Sequence, residues 1–150
     1  MRVYLAGPMT GLPQNNREAF AYAWNKLIEE GFDAISPHFL ESAIEIETRA
    51  KMGTAAVYRH VLPVDCFAIS SADAVLALPG WEDSRGCNFE RHFADLIEIP
   101  WITSVQDGDF IPMDRCPMDP ADTYLAVVKY AVTRGIEQLK EHAIAHSRSS

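Results

Sequence analysis

The chain predicts a three-layer α/β fold, with one parallel sheet of four or five strands and helices on both faces. Three observations carry this reading. Short apolar runs that read as buried strands ("RVYLA", "FDAIS", "DAVLALP", "PWITSV") alternate with longer stretches of helical periodicity. Strand, helix and strand in that order make a parallel crossover unit, because parallel neighbours need a long connection. A chain of 150 residues, 48% hydrophobic and 23% charged, is long enough for one buried core and too short for two ordinary domains. One domain over residues 1–146 is expected, with residues 147–150 as a disordered tail.

The elements follow in order. "RVYLA" ends at Gly7-Pro8, a turn signal after a strand. In "NNREAFAYAWNKLIEEG", Phe20, Trp24, Leu27 and Ile28 recur at helical spacing, with Asn15 or Asn16 as N-cap and Gly31 as the stop. "FDAIS" is the second strand, cut by Pro37. From His38 to His60 the pattern weakens into a partly mobile flap holding one or two short helices. The next helix is expected to begin at "LPVDCFAISSA", with Pro63 in its first turn and Asp65 at the positive end of its dipole. "DAVLALP" is a strand, and "RGCNFERHFADLIE" a helix whose apolar face carries Phe89, Phe93, Leu96 and Ile97. After the strand "PWITSV", a long closing helix starts near Asp119 and Pro120 and presents Leu125, Val128, Val132, Ile136 and Leu139. The order of elements makes the sheet Rossmann- or flavodoxin-like, and such sheets bind ligands at the carboxyl ends of their strands. That rule makes neighbours of Gly7–Gly11, Pro37-His38 and Pro79–Glu90.

Bulk properties remove several function classes. A net charge of -8 and a pI near 5.0 argue against binding a nucleic acid polymer through its phosphates. Three cysteines without a C-x-x-C pair suit a reducing compartment, so a cytoplasmic location is expected. No apolar run reaches the roughly 18 residues of a membrane span, so no membrane is expected as partner. The phosphate loop, the dinucleotide fingerprint, the zinc-protease motif and the serine elbow are all missing, and no metal or cofactor is expected. His142 and His146 stand at i, i+4, but near a chain end they read as solvated.

What remains is a set of carboxylates beside glycine turns. If Ser84 caps its helix, Glu90 falls in the second turn beside Phe89, at the edge of a cleft. Singly, it reads as a surface glutamate and Asp65 as a dipole acid. Gly7 and Gly11 either build a turn or bring backbone N–H groups to an anion. Tyr4, within the first strand, reads as a core residue whose hydroxyl needs a partner.

The combination says more. "VYLAGPMTG", the pair Asp65 and Asp73 in "D-x7-AD", and "S-x-G-x-x-x-E" across Ser84, Gly86 and Glu90 together resemble the nucleoside 2-deoxyribosyltransferase superfamily over about the first 105 residues. The resemblance is nearest to the branch that hydrolyses nucleoside 5′-monophosphates, the 2′-deoxynucleoside 5′-phosphate N-hydrolases and CMP hydrolases. It implies that Glu90 attacks the anomeric carbon to form a glycosyl–enzyme ester, that Asp65 assists proton transfer or binds the sugar, and that Tyr4 orients the glutamate. Asp73 is assigned to the backbone instead. A carboxylate below the ring stabilises the oxocarbenium-like charge where it grows, as in retaining glycosidases.

Transferases of free nucleosides usually carry an acid where Ser84 stands, and an acid there repels a phosphate. The Ser84 hydroxyl, with backbone N–H groups around Gly86, Met9 and Thr10, is the expected 5′-phosphate site. The arginine usual in the first glycine turn is replaced by Thr10, leaving Arg17, Arg49, Arg85 or a second subunit to supply the charge. His38, Phe39 and Trp81 either frame a base or pack structurally. The expected activity is N-glycosidic hydrolysis of a (deoxy)nucleoside 5′-monophosphate to free base and sugar phosphate. The alternatives are base exchange by a deoxyribosyltransferase and a non-catalytic nucleotide-binding module. The resemblance also implies a homodimer or larger assembly, for which the Glu41–His60 flap and the final helix offer apolar surface.

Overall fold

The structure is a computed structural model and describes residues 1–9, 11–40, 51, 53–103 and 120–148. Thr10, Asp119 and, within the expected flap, residues 41–50 and 52 (Arg49 among them) lie outside the described residues. β1 (Arg2–Ala6), β2 (Asp33–Ile35), β3 (Ala74–Ala77) and β4 (Trp101–Thr103) form one parallel sheet in the order β2-β1-β3-β4. The register sets Val3 beside Ala74 and Leu5 beside Leu76. Because β1 leads to β2 on one side while β3 lies on the other, strand order reverses between β1 and β3. The expected three-layer fold with four strands is the observed one.

The pleat divides the core. Val3, Leu5 and Leu76 point to a layer formed by α1 (Arg17–Glu29) and α5 (Pro120–Arg148), where they meet Phe20, Leu27, Val128, Val132 and Leu139. Tyr4, Ala6, Val75 and Ala77 point the other way, toward α3 (Thr54–Ser70) and α4 (Arg85–Leu96), which pack on each other. Between β2 and α3 the short helix α2 (Pro37–Leu40) begins at the proline that ends the strand. No described helix is long and apolar enough to cross a membrane.

Several expectations change. α3 starts at Thr54, so Pro63 stands inside the helix and Asp65 lies far from its positive end. Pro63 is tolerated because its side faces solvent: Arg59, whose carbonyl loses its partner, is exposed with it, and water can take the bond. In α1, Ile28 is 42% exposed, and Ala19 and Ala23 fill the buried face with Phe20 and Leu27. Asn16 stands at the N-cap without using its side chain there. α5 runs to Arg148, the last residue described. Its apolar stripe is spent on the core, so it offers little free surface. Asp73 does serve the backbone, accepting a 2.7 Å bond from the Arg2 N–H.

Candidate active site

The sharpest departure from the sequence pattern is in α4. Phe89 and Leu96 are 49% and 70% exposed, while Gly86, Cys87, Glu90 and Ala94 face the sheet. The helix turns its carboxylate inward and two large apolar side chains outward. α3 does the same with Asp65, which shares its buried stripe with Ala68 and Ile69. Each stripe is otherwise made largely of small residues, so two carboxylates fit between the helices and the sheet.

Tyr4, Asp65 and Glu90 therefore come together from β1, α3 and α4. Tyr4 is fully buried, and Asp65 and Glu90 are each 6% exposed. Glu90 is not at a cleft edge, as its spacing suggested, but behind the wall. Burial, followed by repulsion from Asp65, pushes its carboxyl up to about 8, and the Tyr4 hydroxyl opposes this. Burial and the two carboxylates hold Tyr4 protonated. The Tyr4 hydroxyl is near enough to Glu90 to bias its ionisation, yet neither Tyr4 Oη nor Glu90 Oε2 completes a hydrogen bond among the described residues. Burial and Glu90 also push the Cys87 thiol up to about 12, which makes it an inert neighbour.

Beside this cluster, at the carboxyl ends of β1 and β3, opens a cleft of about 470 Å³. The turn after β1 contributes Pro8, Met9 and Leu12, and the turn after β3 contributes Gly80, Asp83, Ser84 and Arg85. Ser84 caps α4 as expected, its Oγ accepting from the Cys87 N–H at 3.3 Å. The exposed N-terminus of α4 thus belongs to the cleft wall and suits an anion. Arg85 is the candidate cation there and lies 5.8 Å from the Tyr58 ring. A methyl group on Gly86 would sit 3.4 Å from that ring, at ordinary contact distance.

Other candidates fall elsewhere. Gly7 is required by close packing: a Cβ there would lie 3.0 Å from Leu78 Cβ and 3.1 Å from Phe20 Cζ. His38 is not on the cleft wall and meets Phe20 edge-on at 4.9 Å. Trp81 packs on Trp101, and Phe39 on Trp24. Arg17 is exposed away from the cleft. Tyr58, Asp83 and Tyr124 line the cleft without having been singled out; Tyr58 stood in a stretch with no clear periodicity, and Tyr124 in a helix that reads as pure packing. Among the described residues no cluster of His, Cys, Asp and Glu could hold a metal ion.

Fold and site together define a doubly wound α/β protein with a cleft at the strand-order reversal and a buried carboxylate pair behind it. Residues 1–103 match the family described as Domain of unknown function (DUF4406), and the chain belongs to that family. No curated protein matches it.

Proposed function

We propose that the chain is an N-glycosidase that hydrolyses a (deoxy)nucleoside 5′-monophosphate to free base and (deoxy)ribose 5-phosphate in the cytoplasm. The observation that carries this reading is the buried Glu90–Asp65 pair with Tyr4 against it, beside a cleft of nucleotide size. The motif resemblance to the nucleoside 2-deoxyribosyltransferase superfamily supports it.

Two like charges held close in a dry site cannot both ionise cheaply, so the pair retains a proton near neutral pH. That proton is the one the departing base needs. As it leaves through Asp65, Glu90 becomes the anion, at the moment when positive charge grows on the anomeric carbon. The new bond joins a Glu90 oxygen to that carbon while the bond to the base nitrogen breaks. Water then cleaves the ester, and its proton returns to the pair. Ser84, the α4 N-terminus and Arg85 hold the phosphate remote from the breaking bond, and that binding energy positions the sugar.

Asp83 favours a second reading. Its carboxylate lines the cleft beside Ser84, where it would accept from a free 5′-hydroxyl, as a deoxyribosyltransferase acting on nucleosides requires. The test is to incubate a panel of ribo- and deoxyribonucleosides and their 5′-monophosphates with wild type, Glu90→Gln and Asp65→Asn, with and without an acceptor base, and to follow free and exchanged base by chromatography. Base release from monophosphates, slowed by several orders of magnitude in Glu90→Gln and about 10²–10⁴-fold in Asp65→Asn, is expected. Exchanged nucleoside as the main product would move the transferase reading first. Nucleotide binding without release by wild type would leave a binding module.

A further inference from the structure

The two turns that frame the cleft are joined by a hydrogen-bonded chain that the chemistry above does not use. The Asn16 side-chain amide donates to the Pro8 carbonyl at 3.0 Å and to Tyr124 Oη at 2.9 Å. The Tyr124 hydroxyl in turn donates to the Pro79 carbonyl at 3.0 Å. The direction is fixed, because the amide nitrogen can only donate and the Pro79 carbonyl can only accept. The turns also run close together: a Cβ added to Gly80 would sit 3.4 Å from Pro8 Cγ.

The backbone is bent to make this chain. Gln14, Asn15 and Asn16 take φ values of 51°, 54° and 62°, three successive left-handed residues without a glycine. Such residues are strained and persist where surrounding contacts hold them. Asparagine is the residue that best tolerates this conformation while offering two donors. Asn16 is only 7% exposed, so its amide has no water to fall back on. Burial pushes the Tyr124 hydroxyl up, keeping it a donor across the working pH range.

Tyr124 itself lines the cleft, and it lies outside residues 1–103 that match the family. We infer that Asn16 and Tyr124 act as a positioning pair that sets the width of the cleft, with Tyr124 as a specificity-determining wall supplied from beyond the family-matched region. The part played in substrate affinity rests on the proposed glycosidase reading; the mechanical part does not.

The experiment compares wild type, Tyr124→Phe, Asn16→Ala, the double variant, and Tyr130→Phe as a tyrosine control on the same helix. Amide hydrogen exchange of the apo protein reads the mechanical part. Tyr124→Phe is expected to raise exchange in residues 7–9 and 78–84 together, with β4 and the C-terminal half of α4 unchanged and Tyr130→Phe silent. Unchanged exchange in those turns, or a uniform rise across the molecule, overturns the positioning pair. Kinetics read the rest: KM for the preferred nucleoside 5′-monophosphate is expected to rise about tenfold in Tyr124→Phe, with the loss falling on KM and not on kcat. The double variant should be no worse than Tyr124→Phe, since the two residues act through one chain. An unchanged KM in an active enzyme overturns the specificity role. A wild type that neither binds nor cleaves nucleotides refutes the glycosidase reading instead, and the exchange data still decide the pair.

Discussion

Replacing Glu90 by glutamine tests the buried carboxylate through stability alone. In the folded chain this carboxyl titrates at about 8 against 4.5 for an ordinary glutamate, first because burial removes its water and second because Asp65 repels its anion. An acid with a raised folded value binds more protons folded than unfolded between those two values, so stability falls as pH rises. The stability is fully present below pH 4.5, declines by about 1.36 kcal/mol per pH unit through the window, and levels off above pH 8. The whole loss is on the order of 5 kcal/mol, a large part of the roughly 5–15 kcal/mol that holds a small domain together. Glutamine keeps the shape and removes the titration. The assay is urea unfolding of both proteins in steps from about pH 4 to pH 9. The difference between them should grow from near zero at the acid end to several kcal/mol in favour of Glu90→Gln at the alkaline end. A difference independent of pH, or one that favours the wild type as pH rises, refutes the argument. Asp65→Asn should lower the top of the window, because the second cause is gone.

Ser84→Asp should keep the helix cap, since aspartate caps as well as serine, while placing a charge within a few ångströms of a bound phosphate; at an effective dielectric near 20 the repulsion is on the order of several kcal/mol before screening. Its kcat/KM should fall far more for a 5′-monophosphate than for the matched nucleoside, and equal use of both by the wild type would sink the phosphate site. Gly7→Ala should destabilise by roughly 1–3 kcal/mol, read as a drop in melting temperature, because the new methyl meets Leu78 and Phe20 at contact distances of 3.0 Å and 3.1 Å. A homodimer is proposed through α3 and α4, where Phe67, Phe89 and Leu96 are 79%, 49% and 70% exposed. Light scattering should give a dimer mass for the wild type and a monomer mass for Phe67→Asp/Leu96→Asp, and a wild-type monomer at assay concentration would remove that face from the argument.

The strands were legible because each is a short apolar run closed by glycine, proline or aspartate, and Ser84 was legible as a cap because its chemistry is local. Pro63 was not, because a proline near a helical stretch reads as a start unless one knows that its side faces water. Glu90 is singled out by a motif resemblance, and periodicity misplaces it. The rule that large apolar residues face inward picks Phe89 and Leu96, and here the buried stripe is Gly86, Cys87, Glu90 and Ala94. Local pattern and tertiary placement disagree at this helix, as they do where a protein gives up packing for a site. Asn16 and Tyr124 were invisible for another reason: they meet across 108 residues of chain, and each looks ordinary alone.

The strand order also bears on how the chain is made. β1 precedes the other three strands of its sheet in the chain, yet it lies inside the sheet, paired on one side with β2 and on the other with β3. About 70 residues separate its end from the start of β3, an interval of several seconds at ordinary rates of translation. Through that interval an apolar strand exposes an open edge, the kind of template on which nascent chains stick to one another. Tyr124 emerges later still. The cleft therefore takes its final shape only after α5 has been made, and variants that slow the docking of β3 should lower soluble yield in the cell more than they lower the equilibrium stability of the purified protein.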